Sequence, residues 1–254
     1  MKTQYDSFAI TSPGGRSVNE DAYGFFQSED GRACWVVADG LGGHKGGAVA
    51  SQTAVTAISK WFRTKFGLTS NDLDFALQAA QSMITANRKP SSPRMYTTVV
   101  MLVTDGITVR WAHVGDSRLY YFRDGKIIAR TEDHSVPYLL YRAGEIGFDT
   151  IRTHKDRNQL VLSLGSEMPW TPSILPDPPV LLRQSDAFLL CSDGFWEPVL
   201  ETEMEEDLAA TVNAEGWMKA MIRRLRDRIR PGAQIEHDNY TAITVKYKIG
   251  TKDQ

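Results

Sequence analysis

Residues 99–130 read VVMLVTDGITVRWAHVGDSRLYYFRDGKIIAR. β-Branched and aromatic residues fill four short runs, and two of the gaps between them are Asp-Gly. Residues of this kind suit a pleated, half-buried surface. An Asp-Gly pair tolerates positive φ at both central positions of a tight hairpin. The stretch therefore predicts strands over 99–104, 107–114, 118–123 and 126–130, with hairpin turns at Asp105-Gly106 and Asp124-Gly125, forming an antiparallel meander.

Working outward, the same chemistry predicts strands over 34–38, 187–191 and 241–249. Helical spacing appears in 48–62, where Ala48, Val55, Ile58 and Trp61 or Phe62 share a face, and in 73–84, with Ser70 as N-cap. A third helix fits 217–229, with Met218, Met221, Ile222, Leu225 and Ile229 inward and the arginines of RRLRDRIR on a solvated face. Strands in the middle and helices before and after them give an α+β class, antiparallel sheets with helices outside. Residues 135–180 carry Gly144, Gly147, Gly165 and several prolines with little periodicity, which predicts a loop-rich insertion. With no linker, repeat or low-complexity tract, residues 1–254 are expected to form a single domain.

The chain has 254 residues, 42% hydrophobic and 24% charged, in the range of a soluble globular protein. A formal charge of -2 gives no electrostatic case for nucleic acid as a partner. The first residues, MKTQYDSFAI, resemble neither a secretory signal nor a membrane anchor, so the expected location is the cytoplasm. Cys34 and Cys191 each sit in an apolar run and are read as reduced core residues.

Chemistry enters with the acids. Asp39 and Asp193 each end an apolar run and precede a glycine, in VVADGLGG and LLCSDGFWE; Asp116 follows Gly115 between two strands; Glu20 and Asp21 lie in RSVNED and Asp238 in HDNYTAITV. One Asp-Gly is a turn signal only, and Asp105 and Asp124 are read as turns. Several acids at the margins of core strands converge in space, and converging carboxylates repel unless protonated or bound to cations. An oxygen-only donor set suits Mg²⁺ or Mn²⁺ and argues against zinc, whose usual HExxH and CxxC patterns are absent. Two such ions roughly 3.5 to 4 Å apart can ready a water for in-line attack on phosphorus without a protein nucleophile.

The blocks RSVNED, VVADGLGGHKGG, TTVVMLV, HVGDSRLYYFRDGKI, TEDHS, LLCSDGFWE and DNYTAITV occur in this order over about residues 16–247. Together they resemble the metal-dependent protein serine/threonine phosphatases of the PPM or PP2C type, in their compact bacterial form. The resemblance implies an αββα sandwich of two antiparallel sheets flanked by helices, with residues 135–180 as a flap-like insertion. It also implies a cleft holding two or three Mn²⁺ or Mg²⁺ ions. Carried over by position, Glu20, Asp39 and the Gly40 carbonyl resemble ligands of the first ions, with Asp39 bridging, and Asp193 and Asp238 match the other ligand pair. Asp116 looks like the ligand of a third, weaker metal that Asp193 shares. Arg16 resembles the phosphate-binding arginine; Arg16, Asp39 and Asp193 are thus the residues implied to act in catalysis.

Glycine at 40 would let the chain turn beside a metal, and Gly42, Gly43, Gly46 and Gly47 would let it pass close behind into a helix of small residues. One departure stands out. Animal members carry a histidine after the Asp-Gly pair, and here that position is Leu41, with His44 three residues on. Of the remaining candidates, His113 reads as core, His134 as ordering a turn and His154 as surface, and His237 beside Asp238 reads sooner as structural than as an outer support of that acid. Asp21 reads as local support and Ser117, lacking a G-x-S-x-G context, not as a nucleophile.

The expected activity is hydrolysis of phosphoserine and phosphothreonine in proteins, opposing a cognate Ser/Thr kinase, by a stand-alone monomer with no membrane partner. A silent regulatory domain of the same fold should have lost ligand acids, and none is missing. A small phosphomonoester as substrate stays open. A nucleotide-binding loop fits poorly, because Lys45 falls where the last glycine of G-x-G-x-x-G belongs and Asp39 would repel a pyrophosphate.

Overall fold

The four strands foreseen in 99–130 form, but they divide between two sheets. The computed structural model describes residues 4–41, 45–88, 94–167, 171–229 and 237–248. In chain order the strands are β1 (Gln4–Ser12), β2 (Ala22–Gln27), β3 (Ala33–Ala38), β4 (Gly40–Leu41), β5 (Tyr96–Thr97), β6 (Val99–Thr104), β7 (Thr108–Val114), β8 (Arg118–Arg123), β9 (Lys126–Arg130), β10 (Ser173–Leu181), β11 (Ala187–Cys191) and β12 (Tyr240–Lys248). The helices are α1 (Lys45–Lys65), α2 (Ser70–Asn87), α3 (Val136–Arg142), α4 (Asp193–Trp196), α5 (Glu201–Ala209) and α6 (Ala214–Arg228), with a 3-10 helix at Phe148–Thr153.

One five-stranded sheet has the order β1-β12-β11-β8-β9 and the other β10-β7-β6-β3-β2; within both, all neighbours are antiparallel. The meander is therefore a correction to the sequence reading. β6 and β7 pair in one sheet, β8 and β9 in the other, and Gly115–Ser117 carries the chain across. The two turns differ as well. Asp124 and Gly125 both take positive φ, +51° and +78°. The other loop runs from Asp105 through Ile107, because Asp105 Oδ1 accepts the amides of Ile107 and Thr108 at 2.9 and 2.7 Å.

Helices α1 and α2 cover the β10-to-β2 sheet, and α4, α5 and α6 cover the other, giving the αββα sandwich and an α+β class. Three apolar layers follow. Ile58, Leu77 and Met101 lie between α1/α2 and their sheet; Trp35, Leu190 and Ile243 lie between the sheets; Phe122, Trp217 and Met221 lie beneath α6. Strands buried on both faces read as unbroken apolar runs, which is why VVMLVT and AFLLC stand out in the sequence.

Helix boundaries follow caps rather than apolar spacing. The N-cap of α2 is Thr69, not Ser70: Thr69 Oγ1 accepts the Asp72 amide and Asp72 Oδ2 accepts the Thr69 amide, at 3.2 and 2.9 Å. Asn213 caps α6 through the Gly216 amide at 2.7 Å, so that helix starts before Trp217. Its arginines form the solvated face that their pattern predicts, with Arg223, Arg226 and Arg228 exposed, and from that face Arg224 reaches Glu203, Glu206 and Asp207 and Arg228 reaches Glu203, tying α6 to α5.

The stretch 135–180 is not irregular throughout. It holds α3, the 3-10 helix and, from Ser173, the strand β10. β10 tolerates Pro176, Pro178 and Pro179 because it is an edge strand whose register slips between Leu175 and Val180. Cys34 and Cys191 are buried free thiols. Among the described residues no helix is long and apolar enough to cross a membrane. Gly42, Gly43, His44 and Ile249 lie outside the described residues.

Leu190 is fully buried between the sheets, so Leu190→Ala is expected to cost roughly 2 to 5 kcal/mol of stability. Equilibrium denaturation checks this; a change under about 1 kcal/mol would mean that the inter-sheet layer is loosely packed.

Candidate active site

A cleft of about 390 Å³ opens where the strand ends of both sheets meet, and Arg16, Glu20, Asp39, Asp116, Asp193 and Asp238 line it. Gly40 and Leu41 belong to the same wall. All seven residues implicated from the sequence are thus brought to one place. Among the described residues, no three His, Cys, Asp or Glu side chains are already closed around a single point; the acids surround an open volume.

Asp39, Glu20 and Asp116 are held through their backbone. Asp39 follows β3, and its carbonyl accepts the Thr98 amide and the Thr97 hydroxyl, both at 2.8 Å. Its own amide donates to Thr98 Oγ1 at 3.0 Å. Gly40 then packs against Gly47 at the start of α1. A Cβ on residue 40 would lie 2.3 Å from the Gly47 carbonyl oxygen and 2.5 Å from that of Glu20, so only glycine fits. The Glu20 amide donates to Asn239 Oδ1 at 2.8 Å, and Asn239 Nδ2 donates to the carbonyls of Pro13 and Val18 at 2.9 and 3.0 Å. One buried carboxamide beside Asp238 therefore ties down the whole 13–20 loop.

Asp116 sits on the crossing between the sheets. Gly115 has φ +103°, and a Cβ there would lie 2.6 Å from the Thr98 side chain. His134 brackets this turn: its Nδ1 accepts the Gly115 amide at 3.0 Å and its amide donates to the Gly115 carbonyl at 2.9 Å. Ser117 Oγ is bonded to Thr98 Oγ1 at 2.7 Å, which links the Asp116 turn to the group holding Asp39. The Trp196 indole donates to the Asp116 carbonyl at 3.0 Å.

The electrostatics are those of like charges held together. Burial, and then the charges of Asp21, Asp193, Asp116 and Asp238, drive the Asp39 carboxyl well above the usual range. Asp116 is raised by burial and by Asp193. Burial and Asp238 push Asp193 up to about 6, and burial pushes Asp21 up to about 7 against hydrogen bonds from Thr241 and Ser192. Asp21 Oδ2 accepts the Ser192 hydroxyl at 2.8 Å, while its Oδ1 is buried without a hydrogen-bond partner. Arg16 Nη2 meets Asp238 Oδ2 at 3.2 Å, but both side chains are over 40% exposed, so the contact is weak and easily exchanged. A crowd of carboxyls that resists ionising, with hard oxygen donors and no thiol, is the surrounding that suits a divalent cation such as Mg²⁺ or Mn²⁺.

The histidines keep to supporting parts. His113 Nε2 donates to the Glu132 carbonyl at 2.7 Å, and the ring stacks on His134, centroids 4.6 Å apart. Burial lowers both, and His134 falls to about 4. His154 is half-buried, its Nδ1 accepting the Asp156 amide, and does not line the cleft. His237 borders a side cavity of about 60 Å³ with Asp238, Arg157 and Glu197. Asn239, Thr97, Thr98 and Trp196 were not singled out from the sequence, since a backbone clamp leaves no residue pattern.

A model of the protein phosphatase 2C family matches residues 15–236. The serine/threonine phosphatase Stp of Listeria monocytogenes is 36% identical over 200 residues, 76% of this chain and 78% of that protein. The serine/threonine phosphatase Stp1 from Staphylococcus aureus superposes with a TM-score of 0.83 at 26% identity, over 99% of this chain and 97% of that one. The catalytic domain of the phosphatase PstP, solved with two manganese ions, superposes with a TM-score of 0.76 at 28% identity, over 96% of this chain and 99% of that one. Fold and cleft together are those of phosphatases built on an αββα sandwich. The chain belongs to the protein phosphatase 2C family.

Asp21 and Asp193 bind a proton more tightly in the folded chain than the ordinary aspartate value near 4 allows. Their contribution to stability is therefore full at low pH and is lost as pH rises from about 4 through the folded values near 6 and 7. With divalent ions chelated, Tm should fall across that window. At about pH 8, Asp39→Asn should raise Tm by roughly 2 to 4 °C, the shift that about 1 kcal/mol gives at this length. A Tm at or below that of the wild type would refute like-charge strain.

Proposed function

We propose that this chain is a metal-dependent serine/threonine protein phosphatase. The observation that carries the reading is the cleft itself, where acids from four separate strand margins and the preceding loop face one volume beside the Arg16 guanidinium. In this reading Glu20, Asp39, the Gly40 carbonyl, Asp193 and Asp238 hold two Mn²⁺ or Mg²⁺ ions, and Asp116 with Asp193 holds a third. Such ions lower the pKa of water and neutralise charge on phosphorus. Metal dependence is general in this family.

What the chain itself supplies is placement. Arg16 leaves Asp238 and forks onto two phosphoryl oxygens, fixing the phosphorus in line. The backbone clamps on Asp39 and Asp116 keep the carboxylates from spreading, so little reorganisation accompanies the reaction. Leu41 has no proton to give, and in this reading a water in the cleft supplies the proton that the leaving serine or threonine oxygen takes up. Asn158 and Leu160 of the 135–180 insertion also line the cleft, which favours a flap-like part for that segment in seating the substrate. Substrates are phosphoproteins, among them the products of a cognate Ser/Thr kinase. Retention of every acid argues against a silent regulatory domain.

Asp39→Asn and Asp193→Asn are each expected to lower kcat/KM for an aryl phosphate with saturating Mn²⁺ by roughly 10²-fold or more. Chelation should abolish turnover and Mn²⁺ or Mg²⁺ restore it. Arg16→Ala should raise KM for phosphopeptides roughly tenfold with a smaller effect on kcat, as the loss of a charged hydrogen bond predicts. Phosphoserine, phosphothreonine and phosphotyrosine peptides compared side by side test the substrate class. Hydrolysis that persists in excess chelator, or that prefers phosphotyrosine, would sink the proposal.

A further inference from the structure

Asp116 and Asp193 reach the cleft from different elements, and one side chain spans them. Trp196 is the last residue of α4, the short helix that Asp193 opens. Its Nε1–H donates to the Asp116 carbonyl at 3.0 Å. The ring is 2% exposed and lies against the Arg118 guanidinium, whose central carbon is 3.4 Å from the ring centroid. Arg118 is itself fully buried and gripped by both oxygens of Asp133, at 2.8 and 2.6 Å. From another side Arg152 donates to the Trp196 carbonyl and pairs with Glu201. The indole is thus fixed in place by charged groups that have no contact with the cleft. A phenyl ring at this position could still meet Arg118 but would offer no hydrogen to the Asp116 peptide, as the indole does.

We propose that Trp196 is a positioning residue that locks the Asp116 peptide onto the helix carrying Asp193, and so sets the affinity of the weaker divalent-metal position that these two carboxylates share. The inference rests on the reading of Asp116 and Asp193 as metal ligands. Asp39 and Glu20 are held by Thr97, Thr98 and Asn239 instead, so among the acids assigned to the tighter positions only Asp193 shares an element with the indole. Loss of the N–H should loosen one metal position and leave the others alone.

The test is calorimetric titration of the metal-free protein with Mn²⁺, for the wild type, Trp196→Phe, Asp116→Asn, and a chain with benzothienylalanine at position 196. That last residue keeps the bicyclic shape and the face that meets Arg118 but has sulfur where the N–H was, so it remains informative if the phenylalanine variant does not fold. Both position-196 variants are expected to weaken the weaker class of Mn²⁺ sites about tenfold, the effect of one lost hydrogen bond, with the tighter class unmoved. Asp116→Asn is expected to abolish the same weaker class. An unchanged isotherm for both position-196 variants, with the weak class absent in Asp116→Asn, would overturn the inference and leave the ligand assignment standing. An unchanged isotherm for Asp116→Asn would overturn the ligand assignment and the inference with it. Equal weakening of every site by the position-196 variants would mark Trp196 as general packing and overturn the inference too.

Discussion

Like-charged carboxylates do not gather unless something holds them, and most of this structure can be understood as that restraint. Asp116, Asp193 and Asp238 raise the proton affinity of Asp39, and all four line one cleft. A partner that neutralised these side chains would compete with a cation, and the ion pair of Arg16 with Asp238 is exposed and weak. The restraint comes instead through the peptides. Carbonyls and amides of Asp39, Gly115, Asp116 and Glu20 are bonded to Thr97, Thr98, His134, Trp196 and Asn239, none of which places a charge in the cleft.

The second source of rigidity lies deeper. Arg118 and Asp133 form a fully buried ion pair behind the Asp116 turn. Removing one partner of such a pair typically costs about 3 to 5 kcal/mol because the other charge is stranded, whereas an apolar replacement of both can be neutral. Its value here is better sought in placement than in stability. A buried guanidinium fixes the plane of Trp196 and moderates the field at Asp116, where its charge opposes the rise in proton affinity.

Much of this was legible in the sequence, for identifiable reasons. Strands buried on both faces, such as 187–191 and 99–104, announce themselves by unbroken apolar runs, and the acids betray themselves by standing where those runs stop. The division of the meander between sheets was not legible, because a three-residue crossing at Gly115–Ser117 has the same composition as a hairpin turn. β1, β2 and α5 were missed because their burial is one-sided or mixed, as the exposed Tyr23 and Phe25 of β2 illustrate. The capping pair Thr69 and Asp72 hid behind Ser70, an equally plausible cap on residue type alone. Clamps such as Asn239 and Trp196 act on main-chain atoms and so carry no spacing of their own.

The bond between the Glu20 amide and the Asn239 side chain joins positions 219 residues apart. Asp238 stands next to it, so the cleft acquires its last acid and the fastening of its first loop in one late stretch of chain. A ribosome-bound polypeptide ending anywhere before that point has no place to hydrolyse anything, however well its earlier strands have formed. The site is therefore assembled in one step, only once residues 238 and 239 have joined the earlier strands.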